Sequence, residues 1–325
     1  MATTTENPAR TPAQYFLNKR RAIELGHLTA WSRKGGGGIP PNLEWLARRV
    51  ITTSLRWVGL LERGRRNATQ PVVTEIALAF ENLPAAFDGF RVLHLTDLHA
   101  DGIEGFGRYA AAALQDLEVD LCVITGDYRF ETDGCCDAAY SEIEAIVAAV
   151  QSRHGIAATL GNHDSIEMVR PLERLGIRML LNQGWEITRG GESLWVLGVD
   201  DPHYYGCDDV IGTSAEAPEE AFKMLLVHSP EIIEEAEAYG VNLYLCGHTH
   251  GGQIRLPGLG ALYLNANCAR KHASGPWRFG RMHGYTSRGL GCSSVPVRFN
   301  CLPEIGLFTL RRAAQRADQN RPVKI

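Results

Sequence analysis

Two rhythms divide the chain. Over residues 42–62 apolar side chains recur at helical spacing: at 100° per residue Leu43, Leu46, Ala47, Val50, Trp57, Val58 and Leu61 share one face, and Arg48, Arg49 and Arg56 lie opposite. This predicts an amphipathic basic helix, a pattern shared by interfacial membrane helices and by helices packed on their own protein. Just upstream, Gly35 to Gly38 with Ile39, Pro40 and Pro41 reads as a flexible linker, and it lacks the Lys-Ser/Thr of a phosphate loop. From Pro71 the rhythm becomes short apolar runs: Val92–Leu95, Leu121–Ile124, Ile156–Leu160, Leu194–Leu197, Met224–Val227 and Leu243–Leu245. Helix-period segments at Tyr109–Leu117, Ala138–Val150 and Ile166–Leu175 lie between several of them. That alternation predicts an α/β domain with buried sheets. Past Gly247 the helical segments cease, and turns with short strands run to Leu310.

Composition narrows the class. With 325 residues, 45% hydrophobic and 22% charged, the chain is neither disordered nor short of core. No uncharged apolar run reaches the ~18 residues a membrane-spanning helix needs. Residues 1–70 hold 12 Lys and Arg against 4 Glu, a balance of +8, which leaves −12 for the remainder of a chain whose net charge is −4. A basic leader on an acidic body suits a surface-binding arm, and no nucleic acid is expected. Eight cysteines without a C-x-x-C pair signal no structural zinc and fit a reducing cytoplasm. Arg20-Arg21 is no twin-arginine signal, because the following stretch contains Glu24 and His27.

The candidate chemistry sits at the ends of the apolar runs. They close in Asp97-Leu98-His99, Gly126-Asp127, Gly161-Asn162-His163-Asp164, His228 and Gly247-His248-Thr249-His250. In α/β sheets the carboxyl ends of strands line one crevice, so separate segments can deliver ligands to one place. The glycines before Asp127, Asn162 and His248 suggest sharp turns that need permissive φ. Carboxylate, imidazole and amide oxygen without thiolate suit Mn²⁺, Fe or Zn²⁺. Seven such ligands exceed one tetrahedral ion and suit two ions sharing a carboxylate.

This set resembles the calcineurin-like binuclear metallophosphoesterase superfamily, whose motifs are D-x-H, G-D, G-N-H-D/E, a lone His and G-H-x-H. The resemblance spans roughly residues 74–310. Asn82-Leu83-Pro84, His228-Ser229-Pro230-Glu231, Gly251-Gly252-Gln253-Ile254 and Pro303-Glu304-Ile305 are similar to a bacterial phosphodiesterase branch that includes UDP-2,3-diacylglucosamine diphosphatases. The resemblance implies that Asp97, His99 and His250 bind a first ion, that Asn162, His228 and His248 bind a second, and that Asp127 bridges them. It further implies that a bridging water attacks phosphorus in line, that His163 contacts the phosphoryl group or protonates the leaving group, and that Asp164 orients His163. The fold it implies is a four-layer α/β/β/α sandwich of two packed mixed sheets.

Outside the motifs, Arg129 is a candidate phosphate grip, with a loop arginine as the plain alternative. Asp101 either faces the site or is a solvated loop acid. Cys135 and Cys136 read as thiols at a helix start, Pro202 to Gly206 as either a substrate cap or a plain turn, and Gly289 to Ser294 as a turn past the site. The chain thus divides into a basic extension at 1–70, a metallophosphoesterase domain at 71–312 and a polar tail at 313–325. The expected activity is two-metal hydrolysis of a phosphodiester or diphosphate, on a substrate that is lipid-linked or a nucleotide sugar. A phosphomonoesterase or protein phosphatase on the same site, and a non-catalytic metal-binding scaffold, are the rivals. The expected location is cytoplasmic, peripheral on the inner face of the membrane through residues 42–62.

Overall fold

The computed structural model describes residues 12–26, 41–132, 134–261 and 263–313. The glycine-rich stretch at 35–38 and residues 314–325 of the tail lie outside the described residues.

Two six-stranded mixed sheets carry the molecule. In spatial order the first contains Val72–Phe80, Glu304–Arg312, Arg91–Leu95, Leu121–Thr125, Ile156–Thr159 and Ile177–Met179. The second contains Gly275–Phe279, Met282–Thr286, Leu243–Cys246, Phe222–Leu226, Glu192–Gly198 and Gln183–Arg189. Neighbours run parallel except at 304–312 with 91–95, at the hairpin 275–286 and at the hairpin 183–198.

Strand periodicity explains the layering, since successive side chains point to opposite faces. Val92, Leu121 and Val123 face the second sheet and meet Val196, Met224, Leu226, Leu243 and Leu245. Their neighbours Leu93, Leu95, Cys122 and Ile124 face helices 106–114 and 137–149 through Phe106, Leu114, Ile143 and Ile146. On the far side, Leu197, Leu225 and Tyr244 pack on Val210, Ile233 and Ala236 of two short helices. The result is the four-layer α/β/β/α sandwich expected from the sequence.

Three helices precede the sheets. Helix α1 (Pro12–Gly26) has no counterpart in the sequence reading, whereas α2 (Pro41–Trp57) and α3 (Leu61–Ala68) replace the single helix expected over 42–62. The break is a Schellman motif. Gly59 sits at φ 71°, its N–H bonds the Arg56 carbonyl at 3.1 Å, and the Leu60 N–H reaches the Leu55 carbonyl at 2.8 Å. Leu61 of α3 is buried with Val295 and Val297, while Trp45, Leu46, Val50 and Trp57 of α2 point to solvent. Among the described residues no helix is long and apolar enough to cross a membrane.

Candidate metal centre

The five motif segments meet at the carboxyl ends of the central strands of both sheets. Asp97 to His99, Asp127 and Asn162 follow strands of the first sheet; His228, His248 and His250 follow strands of the second. Ligand atoms of Asp97, His99 and His250 lie within 4.8 Å of one another, as do those of His99, Asp127 and His163 and those of Asp127, His228 and His248. Asp127 and His99 each belong to two groups, so the clusters form one continuous centre.

The backbone is bent to make this possible. Asp97 (φ 50°), His99 (40°), Asp127 (56°), His248 (71°) and His250 (49°) all occupy the left-handed region. Non-glycine residues go there at a cost that clusters at functional sites. The motif glycines play two different parts. Gly126 itself has φ 86°, as a sharp turn requires. Gly161 and Gly247 do not have positive φ, contrary to the expectation; a Cβ on them would overlap Asp127 Oδ1 and Asp97 Oδ2, so they are needed for close approach.

Hydrogen bonds fix which imidazole nitrogen is free. A carbonyl can only accept, so His99 Nδ1, 2.9 Å from the Arg129 carbonyl, and His228 Nδ1, 2.7 Å from the Thr125 carbonyl, carry the protons. Their Nε2 lone pairs then point into the centre. His228 Nε2 faces Asn162 Oδ1 at 3.0 Å, Asp127 Oδ2 at 3.3 Å and His248 Nδ1 at 3.1 Å. His99 Nε2 faces His250 Nε2 at 3.1 Å and Asp127 Oδ2 at 3.6 Å, and His250 Nε2 stands 3.6 Å from Asp97 Oδ1. With Nδ1 committed to a carbonyl, either a proton or a cation has to stand between His228 Nε2 and the Asn162 oxygen. Donors about 2.0–2.2 Å from one ion stand roughly 3.0–3.6 Å apart, so the spacing fits divalent cations. These residues fit a binuclear centre with Asp127 Oδ2 common to both halves.

Charge agrees with this. Burial pushes the His99 imidazole down to about 3, and burial followed by neighbouring imidazoles pushes those of His248 and His250 well below the ordinary range, so all three are neutral donors. For His228 burial opposes charge, but Asp127 outweighs it and holds the group up to about 10. A divalent cation competes for the same lone pair and takes the place of that proton.

His163 stands beside the shared half. Its Nδ1 donates to the Phe130 carbonyl at 2.7 Å, its backbone N–H donates to Asp127 Oδ1 at 2.9 Å, and its ring centroid lies 4.7 Å from that of His99. The expected pairing with Asp164 is corrected here. The Asp164 carboxylate accepts from the N–H groups of Asp127 (2.8 Å), Tyr128 (2.8 Å) and Gly161 (2.7 Å), so it ties two motif turns together and the Phe130 carbonyl orients the imidazole. Arg129 is likewise corrected. Its donors go to the carbonyls of His163 (2.6 Å), Gly134 (3.3 Å) and Thr132, and it staples its own loop instead of facing a phosphate. Asp101 accepts from the Phe130 N–H at 2.7 Å, a loop role.

Two further side chains neighbour the centre: His203, which the sequence offered only within the Pro202 to Gly206 cap or turn, and Arg20, which it did not offer. The His203 ring lies 4.1 Å from that of His248, and its Nδ1 meets Glu231 Oε1 at 2.7 Å. Arg20 of α1 reaches the carbonyls of Gly161 (3.0 Å) and Asp164 (2.6 Å). Gly289 to Ser294 forms the expected turn, with the Leu290 and Gly291 N–H groups on the Thr96 and Asp97 carbonyls at 2.9 and 2.7 Å.

Comparison with known proteins bears on the same residues. The family model described as calcineurin-like phosphoesterase matches residues 90–252. The uncharacterized metallophosphoesterase YkuE of Bacillus subtilis is 29% identical over 250 residues, covering 73% of this chain and 85% of that protein. The phosphodiesterase YaeI of Escherichia coli is 29% identical over 230 residues, covering 68% of this chain and 82% of that protein. A bovine transmembrane protein with metallophosphoesterase domain is 29% identical over 320 residues, covering 88% of this chain and 68% of that protein.

Proposed function

Because the chain belongs to the calcineurin-like phosphoesterase family and is a hydrolase of phosphoesters, we propose that it cleaves a phosphodiester or diphosphate at the centre built by Asp97, His99, Asp127, Asn162, His228, His248 and His250. The observation that carries this reading is the continuity of the three ligand groups through Asp127 and His99. In the proposed arrangement Asp97, His99 and His250 hold one ion, Asn162, His228 and His248 hold the other, and Asp127 belongs to both. A divalent pair supplies, when bound, Lewis acidity toward phosphoryl oxygens and a water acidified to near neutrality. With Nδ1 committed to the Phe130 carbonyl, the His163 ring in its doubly protonated form would present Nε2–H to a phosphoryl oxygen or give that proton to the leaving group, remaining as the Nδ1–H tautomer. The carbonyls on His99 and His228 hold both rings in the tautomer that ligation needs.

The name of the YaeI relative favours a diester over a monoester. Turnover of bis-p-nitrophenyl phosphate and p-nitrophenyl phosphate with Mn²⁺ decides between them. The diester is expected to be hydrolysed faster, and a faster monoester would move the reading to a phosphomonoesterase. Chelation is expected to abolish both activities, which a purely structural metal scaffold would never have shown.

A lipid-linked substrate, such as UDP-2,3-diacylglucosamine, is the finer part of the proposal. Its support is the position of α2, whose Arg48 pairs with Glu131 at 2.6 Å and lies 5.0 Å over the Phe130 ring, in the loop whose carbonyl holds His163. Helix α2 is thereby held beside the Phe130 loop with its apolar face outward, and in this proposal the acyl chains of an amphiphilic phosphoester would lie along that face on an anionic membrane surface.

A further inference from the structure

Arg20 is completely buried, and a guanidinium withdrawn from water is costly unless its donors are met. Nη1 pairs with Asp200, Nε with Glu24 Oε1 at 2.9 Å, and the guanidinium lies 4.0 Å from the centre of the Tyr205 ring. Nη2 bonds two carbonyls, those of Gly161 and Asp164. These are the two ends of the Gly161-Asn162-His163-Asp164 segment, the loop that presents one proposed ligand and the proposed proton donor. Glu24, one helical turn on, accepts from the Ile166 N–H at 2.9 Å. On the other edge of the loop the Asp164 carboxylate takes the N–H groups of Gly161, Asp127 and Tyr128. The carbonyls are thus held from one side by α1 and the amides from the other by the loop's own acid.

We propose that Arg20 is a positioning residue: helix α1 clamps both ends of loop 161–164, so that Asn162 Oδ1 faces His228 and the His163 ring faces Asp127. The inference rests on the roles proposed above for Asn162 and His163. An ion pair serving stability alone would need Asp200 and neither carbonyl. Lysine separates these possibilities, because one ammonium can face Asp200 but cannot replace a planar fork that spans two carbonyls and a carboxylate.

The test is Arg20→Lys in the full chain, read by amide hydrogen exchange and by calorimetric titration with Mn²⁺. Amides of 161–166 are expected to exchange at least about 10-fold faster than in the unsubstituted chain, with strands 121–125 and 156–159 unchanged. The weaker Mn²⁺ step is expected to weaken by about 10-fold, and kcat on bis-p-nitrophenyl phosphate to fall by about 10–100-fold with KM nearly constant. If the lysine variant does not fold, Arg20→Gln combined with Asp200→Asn removes both buried charges and carries the same expectations. Unchanged exchange of 161–166 in a folded variant overturns the clamp, as does unchanged Mn²⁺ affinity. If the unsubstituted chain takes up no Mn²⁺, the reading of the metal centre fails, and the exchange result still decides whether α1 holds the loop.

Discussion

His94 lies three residues before Asp97 in the same run, completely buried, its Nε2 2.9 Å from Thr125 Oγ1 and its ring 6.2 Å from that of Phe308. Burial pushes its imidazole down to about 4 from the ordinary 6.5, with Glu304 opposing the shift. A folded value below the unfolded one means the unfolded chain takes up the proton first. The contribution to stability is therefore complete above pH 6.5 and is lost as the pH falls toward 4. Asparagine cannot titrate, so His94→Asn should flatten the dependence of unfolding free energy on pH in that window by up to about 1.4 kcal/mol per pH unit. Urea unfolding of both chains at several pH values measures this, and equal slopes would refute it. The candidate ligands were readable in the sequence because each motif is contiguous and ends an apolar run. Arg20 was not readable, because it is one of 33 basic residues and its buried partners, Asp200 and the Gly161 and Asp164 carbonyls, lie 141 residues or more away. Asp164 misled for a related reason. Beside a histidine it looks like that ring's partner, yet three backbone N–H groups converge on its carboxylate in space.

Among the elements, the buried strands were legible because sheets covered on both faces write themselves as continuous apolar runs. The helices at 106–114, 137–149 and 169–174 followed from their period. Helix α1 has no apolar stripe to announce it, since what it buries is chiefly an arginine with its ion-pair partners. The division of residues 42–62 follows from Gly59, a C-terminal glycine hidden inside an unbroken amphipathic period. The division has an energetic consequence. After the break the chain turns Leu61 inward against Val295 and Val297, with Leu55, Ile254 and Phe299 around them, and this cluster fixes α3. Leu61→Ala is expected to cost about 2 kcal/mol or more, the lower end of the range for buried leucine. Urea denaturation checks it, and a loss below about 0.5 kcal/mol, the level of a surface substitution, would show that the cluster does not anchor the helix.

At the scale of the whole molecule, charge and apolar surface are segregated in a way that bears on how substrate arrives. The first 70 residues carry +8 and the rest −12. The apolar face of α2 turns outward, with Trp57 86% exposed and Trp45, Leu46 and Val50 beside it, whereas Arg48 and Leu55 turn toward the domain. Isolated exposed apolar residues are ordinary, but a contiguous face of this kind marks an interaction surface. The small hairpin of 255–256 and 260–261 follows the His250 turn and packs through Ile254 on the cluster that holds Leu55; it adds exposed Leu256 and Leu259. Exposed apolar side chains thus sit on two elements that share one cluster, α2 and the hairpin after His250. Both contributions to interfacial binding, apolar burial and attraction of Lys and Arg to anionic headgroups, are present in the same segment. Sedimentation with vesicles of equal parts phosphatidylglycerol and phosphatidylcholine tests this in the full chain. The unsubstituted protein should pellet with them, and more weakly at high salt, because the charge component is screened within about 8–10 Å. Val50→Glu combined with Trp57→Glu should lower partition by at least about 10-fold, since it replaces two apolar side chains with charges. Turnover of bis-p-nitrophenyl phosphate in solution should not change, because neither residue belongs to the proposed centre. If the double variant binds vesicles as well as the unsubstituted chain, the outward face of α2 does not serve as the docking surface, and the lipid-linked substrate loses its structural support.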